Sequence, residues 1–321
     1  MKKALFLILL SISFFLFSCQ SSDSEASNNS IVDTFKLLTI TSEGEVYEIG
    51  NNSGETIKIG QIENNHNLIM LSTLSNVGDK IYSLEATLSQ PNVLIVFNKS
   101  TGNTTNIQLN LPSSVTANML EPIVTSLEYD GTKLIAIVSE NMPNDERPNK
   151  IVSINLQNYE ITDLEINFYQ RSITSTELIN NKLYLSTLTE GLVEIDLVQK
   201  TTTELLANSE SINSTRLAKI NNSKIALMKR GNTNIINGVR PFEYNLDNFS
   251  ISDKSVGQVY AVGSNNGGSV FHNGEYLNII FNTNSKLGIL KINYQTNNSD
   301  FVELDYNLIG SNAIIVDLLF D

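Results

Sequence analysis

The stretch Val124 to Ile166, VTSLEYDGTKLIAIVSENMPNDERPNKIVSINLQNYEITDLEI, decides the fold. It holds four short runs rich in Ile, Val, Leu, Thr and Tyr. TSLEY leads through Asp130-Gly131-Thr132 into KLIAIVS. After a longer polar segment comes KIVSINL, then the turn Gln157-Asn158-Tyr159, then EITDLEI. Apolar and polar residues alternate with period two inside these runs, and Asn, Asp, Gly and Ser bound them, as in antiparallel strands joined by tight turns.

The same plan recurs on both sides. At 176–206 the order is TELI, Asn180-Asn181, KLYLSTL, GLVEIDL, Gln199-Lys200, TTTELL. At 215–253 it is TRLAKI, Asn221-Asn222-Ser223, KIALMK, PFEYNL, Asp247-Asn248, FSISD. The turn between the third and fourth strands sets the register. It falls at Asn51-Asn52-Ser53-Gly54, Asn98–Gly102, Asn155–Tyr159, Asp196–Lys200, Asn245–Phe249 and Asn293–Thr296, at spacings of 47, 57, 41, 49 and 48 residues. Asn and Asp tolerate turn conformations, and Gly supplies a positive φ. A four-stranded unit of about 40–50 residues, repeated, is the signature of a β-propeller blade.

Strand order sets the number of blades. Phe35 to Thr41 is followed by third-strand and fourth-strand segments at Val46 to Ile49 and Thr56 to Ile62, so the first blade lacks its innermost strand. Ala313 to Phe320 (AIIVDLLF) follows a complete fourth strand and has no partners of its own. Placed in the first blade, it completes an all-β, six-bladed propeller of four-stranded antiparallel blades and removes an exposed sheet edge. Residues 31–321 are read as one such domain, since no interior linker or change of composition divides them, and the domain is expected to be monomeric.

The N-terminus predicts an address. Met1-Lys2-Lys3 precedes the apolar run Ala4 to Phe17, which is shorter than the roughly 20 residues a membrane-spanning helix needs. The run ends Leu16-Phe17-Ser18-Cys19, which resembles the bacterial lipobox, although Phe17 replaces the small residue usual at that position. The resemblance implies a signal peptide over residues 1–18 and acylation, palmitate-type chains included, of Cys19, the one cysteine of the chain. Each buried CH₂ of such a chain contributes roughly 0.8 kcal/mol of membrane affinity. Residues 19–30 (CQSSDSEASNNS) read as a flexible acidic tether. Asp23 and Glu25 make it resemble the surface-export signal of Bacteroidota lipoproteins, which implies an outer-membrane, surface-exposed lipoprotein. The repeats resemble those of YncE-like and TolB-like propeller lipoproteins, at the level of architecture.

Composition excludes some partners. Loss of Lys2 and Lys3 with the signal takes the 21 basic residues to 19 against 34 acidic ones, a net charge of −15. Nucleic acid, whose phosphates need clustered Lys and Arg, is not an expected partner. No cofactor fingerprint occurs. Trp is absent, so the WD40 signature is missing. His66 and His272 each stand beside an Asn without a partner at metal-binding spacing, and both read as surface residues. Asn141 to Glu146 lacks the alternating oxygens and the Gly of a calcium loop, so no metal site is expected.

Loop length supplies the candidate site. Ser139 to Lys150 and Lys229 to Pro241 are long connections between second and third strands, on the face that also carries the links between blades. Long loops on a rigid scaffold are disproportionately functional. They carry Arg147, Arg230 and Arg240. Arg171 lies in the adjoining interblade segment with Tyr169, and Glu140 begins the first long loop. Arginine recognises carboxylate or phosphate through paired hydrogen bonds. The expectation is a binding or scaffold module for an envelope protein, a glycan or a small anionic ligand. The alternative is a lyase or glycosidase on the same scaffold, which fold alone does not exclude.

Overall fold

A computed structural model describes residues 32–41, 44–62, 74–85, 92–140, 148–170, 172–187, 191–207, 214–230, 238–254, 260–261, 270–272, 275–282, 287–304 and 315–320. Cys19 and the signal and tether segments lie outside them.

The strands arrive in groups. Blade 1 has β1 (Lys36–Thr41), β2 (Glu45–Gly50) and β3 (Thr56–Gln61). Blade 2 has β4 (Ser75–Val77), β5 (Lys80–Glu85), β6 (Val93–Asn98) and β7 (Thr104–Gln108). A one-turn helix, α1 (Ser113–Thr116), links it to blade 3: β8 (Pro122–Tyr129), β9 (Lys133–Glu140), β10 (Asn149–Asn155) and β11 (Ile161–Phe168). Blade 4 comprises β12 (Ile173–Ile179), β13 (Lys182–Thr187), β14 (Gly191–Asp196) and β15 (Thr201–Ala207). Blade 5 comprises β16 (Ser214–Asn221), β17 (Lys224–Arg230), β18 (Gly238–Asn245) and β19 (Ile251–Asp253), with the short β20 (Tyr260–Ala261) also pairing with β18. Blade 6 comprises β21 (Val270–His272), β22 (Tyr276–Asn282), β23 (Leu287–Asn293) and β24 (Ser299–Glu303). The last strand, β25 (Ile315–Phe320), joins blade 1, whose order is β25-β1-β2-β3. The six-bladed propeller closed by the C-terminal strand is therefore observed, with Leu37 opposite Phe320 and Thr39 opposite Leu318.

Blades pack face to face, which explains their burial pattern. Second and third strands are covered on both sides: Leu134 to Val138 in β9 are all buried, as is every residue of β23. Fourth strands at the rim alternate or are exposed, as in β11 and β19. Among the described residues the core divides into six apolar clusters, one for each junction between neighbouring blades. Between blades 1 and 2, Phe97 lies so close to Gly60 that a Cβ there would overlap its ring. Inner strands are tied across blades by polar groups. Ser75 Oγ donates to Leu127 O at 3.0 Å, Thr176 Oγ1 donates to Glu128 at 2.5 Å, and Leu217 N–H donates to Ser175 Oγ at 3.0 Å.

The third-to-fourth-strand turns share one device. In blades 2 to 6 the side-chain oxygen of Asn98, Asn155, Asp196, Asn245 or Asn293 accepts N–H groups two or three residues on. The residue four on has positive φ: Gly102, Tyr159, Lys200, Phe249 and Asn297. By the same count the turn of blade 1 starts at Gly50, not Asn51, and ends at Gly54, whose N–H donates to Gly50 O at 3.0 Å. Gly50 has no side chain to close the turn, and Asp33 supplies one from outside. Its Oδ1 accepts from Asn52 N and Ser53 N, each at 2.8 Å, and its Oδ2 accepts from Ser53 Oγ at 2.6 Å. The carboxylate occupies the space that a Cβ on Gly50 would need. Burial pushes the Asp33 carboxyl up, but these donors and the nearby Lys36 outweigh it and hold it below the ordinary value.

This substitution is testable by a double-mutant cycle. Asp33→Ala is expected to cost about 1–2 kcal/mol, as for the loss of a charged cap. Gly50→Asn in the Asp33→Ala background is expected to recover most of that, because the asparagine brings its own acceptor. Gly50→Asn alone should destabilise. Urea midpoints of the four proteins measure the coupling; additive effects would show that Asp33 and Gly50 are unrelated.

Candidate functional site

The loop-bearing end is built from the ends of second and fourth strands and the starts of third strands. At blade 3, Glu140 is not a loop residue. It terminates β9, is buried, and accepts the Leu120 N–H at 2.6 Å, fastening the connection from blade 2. Lys150 reinforces the same connection, donating to Ser114 O at 2.7 Å while lying 3.8 Å from Asp163. Glu140, a ligand-binding candidate on its sequence position, thus has a structural partner within the protein. Tyr169, one residue past β11, is 58% exposed and offers a free aromatic face. Beside it, Asn149 Nδ2 donates to Gln170 O at 2.5 Å, and Gln170 Oε1 is buried with no partner among the described residues.

Blade 5 differs from the sequence expectation in its strand lengths. Arg230 ends β17 and Arg240 lies on β18, so both stand on strands and the connection between them is shorter than Lys229 to Pro241. Register places Arg240 opposite Lys229 and Arg230 opposite Val239. Arg240 Nε is buried and has no partner among the described residues. Arg147 and Arg171 lie outside the described residues.

Sequence reasoning missed a polar cluster in the junction of blades 5 and 6. His272 is a buried strand residue, 7% exposed, not a surface one. Its ring centroid lies 5.6 Å from that of Tyr294, at 58°. Tyr294 donates to Phe242 O at 3.4 Å, and Lys254 Nζ stands 5.6 Å over its ring. Glu243 receives Lys224 at 2.8 Å and lies 3.9 Å from Lys254. Burial pushes the His272 pKa down to about 4, with the negative charge of Glu243 opposing. The Tyr294 hydroxyl is pushed well above its ordinary value by burial and by Glu243. At neutral pH the histidine is therefore uncharged. The signal that could have found it is register: His272 pairs with Leu277, which is fully buried at the start of a second strand.

Among the described residues no group of three or more His, Cys, Asp or Glu could hold a metal, and no helix is long and apolar enough to cross a membrane.

These features define a class, the six-bladed propellers, and comparison with solved structures agrees. The chain resembles one from a nidogen/laminin complex at 12% identity, with a TM-score of 0.59 over 88% of this chain and 97% of that one. It resembles TolB from Acinetobacter baumannii at 9% identity, TM-score 0.57, over 84% of this chain and 64% of that one. An oligogalacturonate lyase in complex with manganese matches at 9% identity, TM-score 0.53, over 81% and 71%. At such identities the likeness is one of fold. No family model and no curated protein matches the chain in sequence.

Proposed function

We propose that this protein is a cell-envelope binding module. It is lipidated at Cys19, tethered by residues 19–30 to the outer membrane, and displays the loop-bearing end of its propeller to an anionic glycan or protein. One observation carries the reading: Arg240, opposite Lys229, keeps a buried Nε–H without a partner among the described residues. A buried guanidinium donor left unmade costs about 1–3 kcal/mol, which an anionic ligand would recover. The exposed Tyr169 at the same end of the ring suits recognition of a glycan face. One structure of the same fold is a chain of a nidogen/laminin complex, so the scaffold is compatible with protein binding.

A glycan array probed with the full-length lipidated chain in detergent tests it. Binding to acidic glycans is expected to fall at least tenfold in Arg240→Leu, and to vanish when Arg147, Arg171, Arg230 and Arg240 are all replaced by alanine. Unchanged binding by the quadruple variant would overturn the assignment of this face. Release of cleaved products from an array glycan would replace the binding reading with the lyase or glycosidase reading.

A further inference from the structure

A second site emerges from comparing the blades with one another. The second strands of blades 1 to 5 all begin on lysine: Lys36, Lys80, Lys133, Lys182 and Lys224. In blades 1, 4 and 5 that lysine reaches a third-strand glutamate, Lys36 to Glu48 at 2.8 Å, Lys182 to Glu194 at 2.6 Å and Lys224 to Glu243 at 2.8 Å. In blade 4 a second donor joins: Tyr184, directly opposite Glu194, gives its hydroxyl to the other carboxylate oxygen at 3.0 Å. Lys182-Leu183-Tyr184 and Glu194 thus form a three-part cluster.

Blade 2 keeps both donors and lacks the acceptor. Lys80-Ile81-Tyr82 occupies the same register as Lys182-Leu183-Tyr184, but the residue opposite Tyr82 is Val96. No described carboxylate pairs with Lys80. What stands there instead is a pocket of about 410 Å³, lined by Lys80, Val96, Asn98, Thr101, Asn103 and Tyr159 among others. It opens between blades 2 and 3 at the turn end of the ring, opposite the loop-bearing end. The Asn98 side chain spends its oxygen on Thr101, whose N–H and Oγ donate at 2.9 and 3.0 Å, and its amide nitrogen has no partner among the described residues. Tyr82 itself packs into the apolar cluster between blades 2 and 3, where burial, with Tyr159 and Tyr129 nearby, raises its hydroxyl.

We propose that this pocket binds a carboxylated sugar, a uronic acid in type, whose carboxylate takes the place of the glutamate that blade 4 carries internally. Lys80 meets the carboxylate as Lys182 meets Glu194. Asn98, Thr101 and Asn103 match the hydroxyls of a sugar, and Tyr159 and Val96 match its apolar face. The volume lies within the roughly 300–1,000 Å³ of small-molecule sites. This site is separate from the loop-bearing end and does not depend on the reading given to it.

The test titrates glucuronate, with glucose as the uncharged control, into the full-length chain in detergent by calorimetry. Glucuronate is expected to bind and glucose to bind at least tenfold more weakly. Lys80→Met removes the charge at nearly constant volume and is expected to weaken glucuronate binding at least tenfold. Val96→Glu restores the internal acceptor and is expected to abolish binding by occupying Lys80. If Val96→Glu fails to fold, Lys80→Met decides alone. Equal binding of glucose and glucuronate, or wild-type affinity in Lys80→Met, would overturn the proposal. So would glucuronate binding that is lost in Arg240→Leu but kept in Lys80→Met, because the ligand would then lie at the loop-bearing end.

Discussion

A chain shortened by its last nine residues, 313–321, is expected to lose cooperative folding. Those residues include β25, the innermost strand of blade 1, which is registered against Leu37 to Thr41. Its removal leaves β1 as an open edge beside fully buried Leu37, Leu38 and Ile40. Five ladder positions at about 0.5–1.5 kcal/mol per net hydrogen bond, together with the apolar surface uncovered, approach the 5–15 kcal/mol by which a domain is stable. An open, apolar edge also invites association between chains. Size-exclusion chromatography and urea unfolding of the shortened protein check this. The expected result is aggregation with no sharp transition, and partial recovery when a peptide of residues 313–321 is added in excess. A monomer with the wild-type midpoint would show that the C-terminal strand does not lock the ring. Closure brings residues 37 and 320 together across almost the whole chain, a highly non-local contact, and folding should be correspondingly slow.

Acid is expected to weaken the junction of blades 5 and 6 through His272. The folded-state pKa, about 4, lies below the ordinary value of 6.5, so between these values the unfolded chain takes up a proton that the folded one refuses. Stability from this group is complete above pH 6.5, declines as the pH falls towards 4, and then levels off. At about 1.4 kcal/mol per pKa unit, and allowing for solvent screening, the loss is about 2–3 kcal/mol. The groups around His272 are the Tyr294 ring, Glu243 and the two lysines that hold Glu243, Lys224 and Lys254. Other carboxylates also titrate in this range, so the comparison is with His272→Phe, which keeps an aromatic ring against Tyr294. Urea midpoints at pH 7 and pH 4 should fall further for wild type than for the variant. Parallel losses would show that His272 is already solvated.

Much of the architecture is local in origin, and so legible in the residues. Asn155 closes its own turn on Gln157, and the same is true of Asn98, Asp196, Asn245 and Asn293, so the repeat declares itself wherever an Asn or Asp begins the turn. Where that residue is Gly50, the turn is one residue out of the expected register, because its acceptor, Asp33, belongs to a different segment. Period-two alternation located the strands but understated the second ones: KLIAIVS is covered on both faces, which only packing between blades brings about.

The candidate site was less legible for the same reason. Glu140, Arg230 and Arg240 looked like loop residues because polar side chains at the end of a strand give no local sign of being paired into a sheet. His272 looked exposed beside Asn273, yet its pairing with Leu277 buries it. The pocket at Lys80 has no motif at all. It becomes visible only when Val96 is found opposite Tyr82, at the place where Glu194 stands opposite Tyr184. By itself, then, the sequence determined the blade, the number of blades and the strand that closes the ring, since turns and alternation depend on residues a few positions apart. Tertiary structure alone decided which charges are paired, which histidine is dry and that Val96 stands where another blade has a glutamate. Those outcomes depend on strands brought together by the sheet and on the faces of neighbouring blades.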